Sequence, residues 1–104
     1  HAANKMPAEI IDGPVSVDIV AVMKRPKRLL RKGDDDGLVW CPKKPDADNI
    51  RKAVLDGMKA HWRDDSQVVA GATWKFYSEK VGKPRLVIRV MTVDAIDVPG
   101  WIDD

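Results

Sequence analysis

A chain of 104 residues with a formal net charge of +2 is long enough for one domain with a small core of its own. Hydrophobic residues make up 44% and charged residues 33%, which excludes a disordered chain. The single cysteine, Cys41, excludes an internal disulfide framework and a multi-cysteine zinc site. No apolar run is long enough to span a membrane, and no secretory signal is visible.

Residues 1–11 carry a loose helical pattern (Ala2, Ala3, Met6, Ile10) interrupted by Pro7, which reads as the tail of a helix. Asp12-Gly13-Pro14 is a turn. Residues 15–23 read as a strand, with Val15, Val17, Ile19, Ala21 and Met23 on one face. Residues 24–44 form an irregular run with Pro26, Gly33, Gly37 and Pro42, and a loop of that length in a small domain is usually functional. A helix is expected from just after Asp48 to about Trp62. Asp46 or Asp48 caps it, Ile50, Val54 and Met58 form its buried stripe, and Arg51, Lys52, Asp56, Lys59 and Arg63 face solvent. Residues 68–78 and 85–93 read as two further strands, expected to pair as a hairpin through Gly82-Lys83-Pro84. The tail, 94–104, carries no identifiable chemistry. The fold class is therefore α+β: a small mixed β-sheet with one main amphipathic helix packed on it.

The chemistry is concentrated at the two ends of that helix. Lys44-Pro45-Asp46-Ala47-Asp48-Asn49 places two carboxylates two residues apart at its entrance, and Asp64-Asp65 follows its exit. An extended Asp-x-Asp points both side chains to one side. Carboxylate oxygens are the donors that hard divalent cations prefer, and such a site can drive in-line attack on a phosphodiester. Lys52, four residues from both Asp48 and Asp56, leans over the carboxylate end. Ten of the 18 basic residues fall between positions 24 and 52, against five acids, which suits a polyanionic substrate. The bland reading is a cap beside a solvated acid on a lysine-rich loop. Asp34-Asp35-Asp36 reads as solvated loop, His61 as a surface or capping residue, Cys41 as a packing residue and the four tryptophans as mostly core. Trp40, in the basic loop, is the one weighed for stacking on a base.

The Asp-x-Asp-Asn-x-x-Lys element at 46–52, joined to Asp64-Asp65-Ser66-Gln67-Val68 and Lys75, resembles the RusA family of Holliday junction resolvases. The resemblance covers about residues 13–92, with its signature in 44–75. It implies a magnesium-dependent endonuclease, with manganese as an alternative ion, that acts as a homodimer on four-way DNA junctions in the cytoplasm of a bacterium or under phage control. It implies that Asp46, Asp48 and Asp65 bind the metal, with Asp64 beside them in a less defined role, and that Lys52 is a catalytic lysine. Lys24, Arg25, Lys27, Arg28, Lys43, Lys44 and Lys75 are the residues expected to face DNA. The expected unit is one endonuclease domain over residues 1–104. Family members usually begin with a strand, a basic proline-rich segment and a helix before the Gly-Pro turn, and here only a short stub precedes Gly13-Pro14. The alternative class is a DNA-junction binding module without cleavage. A third is a structural fragment whose acids merely cap a helix.

Overall fold

The structure is a computed structural model and describes residues 2–5, 9–93 and 99–102. Among the described residues, six strands and one main helix follow in chain order: β1 (Ala2–Lys5), β2 (Val15–Met23), β3 (Val39–Trp40), α1 (Ala47–Gly57), β4 (Val68–Ala70), β5 (Thr73–Tyr77) and β6 (Arg85–Thr92). They form one mixed sheet in the order β1-β6-β2-β5-β3, with β4 also on β2. The expected α+β architecture is present.

β2 is the organising strand. Its alternating Val15, Val17 and Ile19 are fully buried, and it is apolar enough to be paired on both edges. β6 runs antiparallel along one edge (Ile19↔Ile88), and β4 and β5 run parallel along the other (Val15↔Val68, Ile19↔Thr73). The expected hairpin of β5 with β6 is therefore corrected: β2 lies between them. The connection 78–84 has only to cross one strand, about 10 Å from β5 to β6. That crossing buries the most apolar strand in the centre instead of leaving it at an edge.

The strand expected over 68–78 is also two strands. Gly71 breaks it at φ 127°, and a Cβ there would overlap the carbonyl of Val17, so only glycine fits. The helical tail expected at the start is corrected as well. Ala2–Lys5 run parallel to β6 (Ala2↔Leu86, Lys5↔Arg89), because the free edge of β6 offers backbone partners that a proline-interrupted helix lacks. Met6 and Pro7 of that pattern, and Asp94–Val98 of the tail, lie outside the described residues.

α1 begins two residues earlier than expected, since Ile50 N–H already donates to Asp46 C=O at 3.1 Å. It stops at Gly57, a poor helix residue. A 3-10 turn at Lys59–His61 then tightens the chain, which keeps Met58 and Trp62 turned inward. The core joins Ile11, Val15, Val17 and Ile19 to Val54, Met58, Trp62, Ile88 and Val90, with Ile50, Leu55, Val68 and Leu86 packed around it. One face of the sheet is thus covered by α1. The opposite face carries Val20, Trp74, Val87 and the Asp18–Arg89 ion pair, which line a shallow concavity. Only Trp62 among the tryptophans is core, at 3% exposure. Trp40, Trp74 and Trp101 are exposed, which corrects the expectation that most are buried. The two on strands, Trp40 and Trp74, sit on an edge strand and on the face away from the helix.

Candidate functional site

Asp46 occupies the N-cap of α1, with extended backbone, but its side chain makes no capping hydrogen bond. Asp48 follows in the first turn, and both residues are exposed. Among the described residues neither carboxylate has a hydrogen-bond or ion-pair partner. The capping role that would have made these acids structural is therefore absent. Asp48 in the first turn is also favoured by the positive end of the helix dipole. Lys52, one turn further on, is exposed on the same helix.

The other end is built differently. Asp64 caps the 3-10 turn Asp65–Gln67: its Oδ1 accepts from Ser66 N–H at 2.8 Å, and Gln67 Oε1 accepts from Asp64 N–H at 2.9 Å. The bond from the Ser66 backbone holds the Asp64 carboxyl below its ordinary value. Gln67 Nε2 then donates to Ile11 C=O and Gly13 C=O, both at 2.9 Å, which ties this turn to the start of β2. Asp65 points its Oδ1 at the indole N–H of buried Trp62, 3.1 Å away. Lys59, Trp62, Arg63, Asp64 and Asp65 line an open concavity of about 270 Å³. Within this pair Asp64 is thus a cap, and Asp65 is a carboxylate aimed by a core residue.

The two acidic pairs lie at opposite ends of α1. Lys75 holds the segment before Asp46: its C=O accepts from Cys41 N–H at 3.1 Å, and its Nζ donates to Lys43 C=O at 2.6 Å. Lys75 pairs with Ala21, whereas the Asp64–Asp65 turn is fastened at Ile11 and Gly13, before β2 begins. The intervening stretch of β2 is about 20 Å long, and α1 itself spans about 16 Å. Among the described residues, no three His, Cys, Asp or Glu side chains are close enough to share a metal ion.

The basic residues divide by what they touch. Lys24, Lys27, Arg28, Lys43 and Lys44 are exposed. Lys75 is half-buried and straps the loop, as above. Arg25 does not face the surface, which corrects its expected place on the DNA side. It is 5% exposed, and its guanidinium donates to the carbonyls of Leu29 (2.7 Å), Asp35 (2.6 Å), Gly37 (2.9 Å) and Ser78 (3.4 Å). A loop with that many inward carbonyls needs a donor cluster, and one arginine supplies it.

Cys41 is buried, as expected of a packing residue. The Asp triplet is loop structure: Asp34 accepts from Arg31 N–H, Asp35 from Gly37 N–H, and Asp36 pairs with Lys80. Two contributors escaped the sequence reading. Trp62 orients Asp65, and the only hint was its position three residues earlier. Arg51, expected in solvent, turns inward onto Val17 C=O and Thr73 Oγ1; a strand break that leaves a carbonyl unpaired is not readable from periodicity.

Residues 1–91 match the family model described as Endodeoxyribonuclease RusA. The chain is also 36% identical over 100 residues to an uncharacterized Bacillus subtilis (strain 168) protein, YqaN, across 90% of this chain and 68% of that protein. No solved structure gives a significant match.

Proposed function

The chain belongs to the RusA family of endodeoxyribonucleases, which are Holliday junction resolvases, and from that premise we propose that it resolves four-way DNA junctions by paired, magnesium-dependent phosphodiester hydrolysis. Asp46, Asp48 and Asp65 are the proposed metal-binding carboxylates and Lys52 the catalytic lysine. The proposed unit is one endonuclease domain acting as a homodimer on chromosomal or phage DNA in the bacterial cytoplasm. Among the described residues no helix is long and apolar enough to cross a membrane.

The observation that carries this reading is the state of Asp46 and Asp48. Two exposed carboxylates at a helix N-terminus, neither used as a cap, are an oxygen-only donor set suited to a hard cation. When bound, such a cation supplies charge neutralisation on the phosphodiester and activation of the attacking water. The chain's own groups do the rest. Lys52 offers a point charge for a phosphate oxygen as negative charge develops. Trp62 holds Asp65 in one orientation, an outer contact of the kind that tunes metal ligands. Exposed Lys43 and Lys44, just before Asp46, attract the DNA backbone, so binding weakens steeply with salt.

The separation of the acidic pairs supports the homodimer. Metal–oxygen bonds of about 2.1 Å cannot join groups at opposite ends of an eleven-residue helix. Two copies related by a two-fold axis can exchange ends, with Asp46 and Asp48 of one facing Asp65 of the other. That arrangement makes two equivalent sites for two cuts on a two-fold substrate.

The test is cleavage of a synthetic four-way junction beside linear duplex and single strand, with and without magnesium, for the native chain and for Asp48→Asn. Paired nicks on the junction alone, lost with chelator and in the variant, are expected. Junction binding without cutting, equal in both proteins, would replace the enzyme with a binding module.

A further inference from the structure

Trp40 is 69% exposed, yet its ring is fixed. It stacks on Phe76 with centroids 4.7 Å apart and planes 25° from parallel, and it lies opposite Phe76 in the β3–β5 ladder. One ring face is thereby occupied and the other is presented to solvent. β3 is the last strand of the sheet, so the ring overhangs its edge on the face away from α1. The loop behind it is held by the Arg25 guanidinium on four carbonyls, and the segment after it by Lys75. At the same sheet edge, on the face of Val39 and Tyr77, Arg28 and Lys43 line a concavity of about 330 Å³ together with Asp34 and Asp35.

We propose that the Trp40–Phe76 stack is a platform for one unpaired base at the centre of the junction, with Arg28 and Lys43 holding the adjoining phosphates. This rests on the junction-cleaving reading above. The stack on Phe76 uses one face of the ring for the fold, and the face left exposed is one on which a base stacks whatever its identity. Arg28 and Lys43 at this edge are opposite in charge to DNA, and of the two acids on the same lining Asp35 is turned back onto Gly37 N–H and Asp34 onto Arg31 N–H. Asp46 is six positions after Trp40, a reach of at most about 22 Å. A base seated on the ring is therefore within a few nucleotides of the phosphate at the carboxylates. Intact duplex keeps its bases stacked, so the platform rewards only branched or frayed DNA. It gives selectivity for structure rather than sequence.

The experiment uses the Asp48→Asn chain, so that cutting does not interfere, with and without Trp40→Ala or Trp40→Phe. Affinity is measured for a four-way junction and for linear duplex, together with the fluorescence of 2-aminopurine at the branch point. Trp40→Ala should weaken junction binding about tenfold, leave duplex binding within about twofold, and abolish the 2-aminopurine change, while Trp40→Phe restores most of both. Equal loss on junction and duplex, or an unchanged 2-aminopurine response, would overturn the platform and leave the resolvase reading standing. No preference for junctions in the Asp48→Asn chain itself would overturn both. Native circular dichroism of Trp40→Ala at the assay temperature excludes a folding defect as the cause, since loss of the Phe76 stack lowers the melting temperature without unfolding the chain.

Discussion

Arg51 Nη1 donates to the carbonyl of Val17 at 3.0 Å, and this bond fastens α1 to β2 between the stretch paired with β4 and the stretch paired with β5. The same guanidinium reaches Thr73 Oγ1 at 3.3 Å and Ala70 C=O at 3.4 Å. It therefore bridges β4 and β5 across Gly71. Asp46 and Asp48 stand one turn before Arg51, so their position relative to the sheet depends on it. Arg51→Ala should cost about 2 kcal/mol, the scale for a charged donor leaving carbonyls unpaired, read from denaturant midpoints. Cleavage should fall further than the stability loss explains. A variant as stable and active as the native chain would show that α1 is held by its apolar stripe alone.

Gly71 gives a second stability prediction. Its φ of 127° and the overlap of any Cβ with Val17 C=O predict that Gly71→Ala destabilises by more than about 1 kcal/mol. Gly13, with nothing within 4 Å of its Cβ position, serves as the control. Equal tolerance at both positions in thermal melts would refute the close approach.

Trp62 separates packing from orientation. Trp62→Phe keeps an aromatic ring in the core but removes the N–H that holds Asp65 Oδ1. The expected result is magnesium dependence shifted to higher concentration by about tenfold or more, with cleavage restored at saturating metal. An unchanged magnesium curve would mean that Asp65 needs no orienting partner.

Asp18 predicts acid sensitivity. Burial alone would raise its carboxyl, but hydrogen bonds from the Arg89 guanidinium and Ala72 N–H outweigh it and hold the group below its ordinary 3.8. A depressed folded value stabilises the fold above the unfolded pKa, and that stability is lost as pH falls through the folded value. The loss therefore lies below about pH 4. Denaturant midpoints from pH 7 to pH 2.5 should fall less steeply for Asp18→Asn, which starts from a lower plateau. Parallel curves for the two proteins would remove Asp18 from the acid transition.

Legibility followed periodicity. β2, β6 and the buried stripe of α1 were readable because alternation and 3.6-residue spacing report one buried face directly. The order of strands was not, because adjacency in sequence favours a hairpin and only the need to bury both edges of β2 overrides it. Ala2–Lys5 carry no strand pattern and become a strand through the free edge of β6. At the candidate site, Asp46, Asp48, Asp64, Asp65 and Lys52 stand out by spacing alone. Their separation to opposite ends of α1 does not, since spacing carries no information about which groups meet across a helix. Arg25 shows the same limit, because a basic residue in a basic segment looks like surface until the inward carbonyls of its loop are seen.

The two-chain site is tested most directly by mixing two inactive proteins, Asp48→Asn and Asp65→Asn, after exchange of subunits. If Asp46 and Asp48 of one chain work with Asp65 of the other, each mixed dimer carries one wholly native site and one doubly altered site. Junction nicking should then reappear in the mixture, on one strand per junction, while each variant alone stays silent. A mixture as silent as its parents, with subunit exchange verified, would contradict a site shared between chains.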